Sequence, residues 1–88
     1  MRSIDYTVLP VHMRQATSDY VERGILFDDF LKAVFSNELV GAYAAADDIN
    51  AARMMDWATF LYGQCPRGCW GSATTVEEWQ KHHGLEGA

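Results

Sequence analysis

The stretch from Asp28 to Gln64, DDFLKAVFSNELVGAYAAADDINAARMMDWATFLYGQ, decides the fold class. Its apolar residues recur at helical spacing. Phe27, Phe30, Leu31, Val34 and Phe35 predict the buried stripe of a helix that begins near Asp28, whose carboxylate suits the free N–H groups of a first turn. Ser36-Asn37 predicts a break, because both side chains compete for backbone hydrogen bonds and Asn tolerates the left-handed region. Leu39, Val40, Tyr43 and Ala46 continue a helical pattern up to Asp47-Asp48. Either carboxylate suits the cap of the next helix, predicted over Ile49 to Gln64, with Gly63 and Pro66 marking its exit.

That long helix is apolar on two sides. Ala51, Met54, Met55, Ala58, Leu61 and Tyr62 predict one face, while Ile49, Trp57 and Phe60 lie opposite, interleaved with Asn50, Arg53 and Asp56. Such a helix is either central in a bundle or covered by a partner, where Trp57 and Arg53 are favoured contact types.

Working outward, Met13, Ala16, Thr17, Tyr20 and Val21 predict the inner face of a first helix over Val11 to Arg23, stopped by Gly24. Pro10 suits its first turn. The brief alternation of Ile4, Tyr6 and Val8 predicts an extended or frayed leader over residues 1–9, since a lone strand has nothing to pair with. Cys65 to Ser72, CPRGCWGS, reads as a tight loop. A closing helix follows, capped by Ser72 or by Thr75 with Glu78, with Val76 and Trp79 facing inward and Gly84 ending it. The expected architecture is all-α, a compact single-domain bundle of about four to five short helices over residues 10–84.

Composition bounds the function. The 88 residues carry a net charge of −5, with 49% apolar and 12% aromatic residues. The apolar content excludes a disordered acidic tail. The charge argues against direct nucleic-acid binding, which needs clustered Lys and Arg. No apolar run approaches a membrane span of roughly 20 residues, and no basic-then-apolar leader is present, so a reduced cytoplasmic setting is expected. Small size with many aromatics points to completion of the core by self-association, a homo-oligomer.

No catalytic constellation emerges. Cys65, Cys69, His82 and His83 fall near zinc-finger spacing, but adjacent histidines on a helix point about 100° apart and cannot close on one ion. No metal and no cofactor is therefore expected. A Cys65–Cys69 disulfide across the turn is open on spacing alone. Asp28-Asp29, Asp47-Asp48 and Glu77-Glu78 are neighbours that do not face each other, so they read as helix-start charges and not as acid–base pairs. The candidate binding groups are Arg67, Gly68, Trp70, Gly71 and Ser72, which combine a guanidinium, an aromatic face and a helix N-terminus. The plainer reading makes Trp70 a plug at the end of the bundle. Tyr20 and Arg23 are the next candidates.

The ordered segments YVERGI (Tyr20 to Ile25), DDFLKAVFSNEL (Asp28 to Leu39), AADDIN (Ala45 to Asn50), FLYGQCP and CWGS (Phe60 to Ser72) and VEEW (Val76 to Trp79) resemble a family of small proteins encoded by tailed bacteriophages and prophages. Where that family often carries Pro and Gly before the Phe-Leu pair, this chain has Leu26-Phe27-Asp28-Asp29. The resemblance implies an accessory gene product of the infected bacterial cytoplasm and brings no catalytic residues. The expected function is non-enzymatic, stoichiometric counter-defence, against either a small anionic nucleotide signal or a host defence protein. The alternative is a regulatory or structural subunit in phage assembly or replication.

Overall fold

The computed structural model describes residues 4–87, which contain six α-helices, three short 3-10 segments and no strand. The all-α bundle expected from periodicity is what forms. A 3-10 turn at Val11–Met13 runs into α1, Arg14–Arg23, which ends at Gly24 with φ +72°. The helix α2, Asp29–Phe35, starts as expected: the Asp28 carboxylate accepts from the Leu31 N–H at 3.0 Å. Asn37 takes φ +62° and turns the chain into α3, Leu39–Ala45. The helix α6, Ala73–Lys81, is capped by Ser72, which accepts from the Thr75 N–H at 3.1 Å.

The helix predicted over Ile49 to Gln64 is in fact two. Asp47 caps α4, Asp48–Ala52, and Arg53 breaks the run at φ −116°, ψ 25° before α5, Met54–Gly63. Tight bonds from the Arg53 N–H to the Asn50 carbonyl (3.1 Å) and from the Asp56 N–H to the Arg53 carbonyl (2.9 Å) draw the joint closed. The Arg53 guanidinium reaches outward to the Asp56 carboxylate at 2.7 Å and the Val8 carbonyl at 2.8 Å.

The core is aromatic. Tyr20, Phe35, Trp57 and Phe60 are fully buried, with Phe30 edge-on to Trp57 at 5.2 Å and Phe35 against Tyr20 at 4.5 Å. On α5 the buried side is therefore the Trp57–Phe60 side together with Leu61, and the expected face is corrected: Met55 is 80% and Tyr62 92% exposed. The aromatic volume wins because it buries more apolar area than the methionines. Phe27 also leaves the expected stripe, at 95% exposure, because it precedes the Asp28 cap and the helical turn never reaches it.

The leader is likewise corrected over residues 4–9; residues 1–3 lie outside the described residues. Tyr6–Val8 forms a 3-10 turn capped by Asp5, and Leu9 and Pro10 are fully buried. Cationic side chains collect its carbonyls: Arg14 donates to Thr7 (2.9 Å) and Leu9 (3.0 Å), and Arg53 donates to Val8. A segment with no sheet partner has found guanidinium donors instead.

One close approach closes the bundle. Gly84, at φ +64°, lies against the end of α1 so tightly that a Cβ there would sit 2.7 Å from the backbone nitrogens of Arg23 and Gly24. The Trp79 indole N–H is shared between the carbonyls of Tyr20 (3.1 Å) and Val21 (3.2 Å), near the end of α1. Gly84→Ala is expected to cost about 2–4 kcal/mol, by adding left-handed strain and displacing backbone. Urea denaturation checks this, and an unchanged midpoint would show that the crossing is loose.

Candidate functional site

The loop from Cys65 to Ser72 is held from beneath. The buried Tyr20 hydroxyl donates to the Cys69 carbonyl at 2.7 Å, and the Gly71 N–H donates to the Phe35 carbonyl at 2.8 Å. Gly68 at φ +90° and Gly71 at φ +138° supply the two bends that other residues rarely adopt. The loop is thus an extension of the core. Cys69 is fully buried, and the hydrogen bond its protonated thiol makes to Cys65, followed by burial, pushes that thiol well above the ordinary range. Both cysteines are free thiols. A thiol so far from ionising is a poor nucleophile.

These contacts fix what each expected binding residue does. Tyr20 and Trp57 belong to the core: the Tyr20 hydroxyl is spent on Cys69, and the Trp57 indole donates to the buried Asn50 carboxamide at 3.2 Å. Arg23 is exposed but paired with Asp19 at 2.7 Å, one helical turn back. That guanidinium, followed by Gln15, holds the Asp19 carboxyl below its usual range. Arg53 is divided between Asp56 and Val8. Ser72 spends its hydroxyl oxygen on the α6 cap, and Gly71 spends its N–H on Phe35. Trp70 is half-buried against the core, as the plainer reading has it. Arg67 is exposed. Among the described residues no hydrogen bond or ion pair joins Arg23, Arg53 and Arg67 into one cationic cluster. No three His, Cys, Asp or Glu side chains among them converge as a metal site would require.

The feature that sequence reasoning missed lies on α3. This helix packs on α2 through its small residues: Ala42 is buried, and a Cβ at Gly41 would be 3.8 Å from that of Ala33. Its large residues point the other way, with Leu39 72% and Val40 82% exposed and Tyr43 also outside. The expected stripe of Leu39, Val40 and Tyr43 is therefore a solvent face. Ala42 carried the signal, because a small residue lets two helix backbones approach and marks the packed side. Between α3 and α5 lies a hollow of about 110 Å³, floored by Val34, Ala42, Trp57 and Leu61 and walled by Leu39 and Met54. A shallower apolar depression continues it across Val40, Tyr43 and Ala51. Glu38 is the charged residue in its lining; Asp47 and Asp48 follow α3, and Asp47 is paired with the His12 ring at 2.8 Å.

No protein-family model matches the chain, and no curated protein or solved structure matches it at a significant level.

Burial raises the Tyr20 hydroxyl above the ordinary tyrosine value of 10.0. A group whose folded pKa is raised leaves stability intact below its unfolded value, and that stability is lost as pH climbs toward the folded one. The thermal midpoint is expected to begin falling above about pH 9, where unfolded Cys69 ionises, to steepen above about pH 10, and to fall less steeply there in Tyr20→Phe. Equal slopes in the two proteins would remove Tyr20 as the cause.

Proposed function

We propose that the chain is a non-enzymatic phage accessory protein that works by stoichiometric binding of another protein, in counter-defence within the bacterial host. The observation that carries the binding reading is α3, which buries Ala42 alone against the core and turns Leu39, Val40 and Tyr43 outward. A chain of this size has little apolar mass to spare, and contiguous exposed apolar surface marks contact sites. Leu39, Val40, Tyr43, Ile49 and Met55 form an exposed set on α3 to α5, and most of the aromatic mass is already inside.

The same surface favours a protein target over a small anionic nucleotide. An anion needs free cations or open helix N–H groups. Here two of the candidate arginines are paired, the α6 terminus is capped by its own serine, and the exposed face is apolar and acidic. The phage assignment draws on the resemblance of Tyr20 to Trp79, and the lack of paired acid, base and nucleophile groups is what the non-enzymatic reading draws on.

Expression of the gene in an immune-proficient bacterium is expected to raise the plating of a sensitive phage. Val40→Glu should abolish that rescue while changing stability by no more than about 0.5 kcal/mol, as usual for a surface position. Absence of rescue by the unaltered chain would defeat the counter-defence reading. Co-sedimentation with phage particles or replication complexes would then favour the subunit role.

A further inference from the structure

The hollow between α3 and α5 has a shape and a charge that together restrict its occupant. Its walls are two helices, and the apolar groups on each recur at one-turn intervals, Leu39 and Tyr43 on α3, Met54, Ala58 and Leu61 on α5. Side chains at i, i+4 and i+7 of a third helix have the same spacing. A helical occupant satisfies its own backbone, and the described residues offer no strand edge to which an extended peptide could add. The charged group on the hollow's wall is Glu38, and Asp47 and Asp48 stand just beyond the other end of α3. Asp47 is paired with His12 at 2.8 Å and Arg53 is turned away to Val8 and Asp56, so the carboxylates this face presents are Glu38 and Asp48. A second copy seated here about a two-fold axis would bring carboxylates against carboxylates. The self-association expected from size alone meets that repulsion on this face.

We propose that this groove receives an amphipathic helix of a partner protein, with apolar anchors on one side and Lys or Arg flanking them. The inference rests on the reading of the α3–α5 face as the working surface and names the chemistry of what it binds. The cationic flanks meet Glu38 at one end of α3 and Asp48 at the other, while the anchors enter the hollow over Trp57. Charge then sets the choice of partner and the rate of encounter, and apolar burial holds the complex.

The test uses the full chain and two synthetic helical peptides with identical leucine anchors, one flanked by lysine and one by glutamate. In isotope-resolved NMR titrations the lysine peptide is expected to move the amides of Leu39, Tyr43, Met54 and Ala58, and its affinity should fall as salt rises. The double variant Glu38→Gln, Asp48→Asn should weaken it about tenfold, equivalent to about 1.4 kcal/mol, without unfolding the chain; Asp47 is left intact because it caps α4. Equal binding of the two peptides, shifts confined to other surfaces, or a concentration-dependent dimer that Leu39→Glu returns to monomer would each overturn the proposal. The outcomes separate it from the functional reading. Loss of phage rescue in Leu39→Glu with no peptide binding overturns the helix proposal alone, and peptide binding with rescue intact in Leu39→Glu overturns the functional reading alone.

Discussion

Tyr20 is the residue on which the other elements converge. Its ring lies on Phe35 of α2, its hydroxyl holds the Cys65–Ser72 loop through the Cys69 carbonyl, and its own carbonyl accepts from both Gly24 and Trp79. A buried phenol must find an acceptor or lose the equivalent of a hydrogen bond, about 1–3 kcal/mol. That requirement fixes the height of the loop above the core. The loop in turn places Ser72 where it can begin α6. The closing helix returns the indole of Trp79 to the end of α1, near where the chain of contacts started.

Capping chemistry was the most legible part of the chain. Asp28, Asn37, Asp47 and Ser72 do what their side chains imply, because each acts on backbone within a few residues and needs nothing distant. Buried faces were less legible, since which side of a helix is covered depends on neighbours far along the chain. On α5 two apolar faces competed, and the edge-on contact of Phe30 with Trp57 settled the contest. On α3 the helical periodicity was legible, but it did not say that Leu39, Val40 and Tyr43 face solvent. The leader was misread because the donors that order it, Arg14 and Arg53, are invisible to local pattern. Of the candidate binding residues, Tyr20, Arg23, Arg53, Trp57, Gly71 and Ser72 each make a contact within the chain, and such engagement shows only in three dimensions.

An apolar groove on a protein of this charge behaves differently from one on a neutral protein. Hydrophobic surface alone invites any apolar partner, including a sister chain. Carboxylates placed around it penalise acidic and self contacts and leave basic ones favoured, which is how specificity arises without more affinity. The buried Ala42 of α3 makes this possible. It lets the helix lie close against α2 while Leu39, Val40 and Tyr43 stay exposed.

The shared bond between Trp79 and the carbonyls of α1 spans fifty-nine residues of chain. That indole and Gly84 both follow α1 to α5 in the chain. Without them the end of α1 is unsealed and Tyr20 is short of its full set of contacts. Contacts of such long separation close late. Sealing of the end of α1 therefore depends on α6 and the Gly84 turn, far along the chain from the residues they cover.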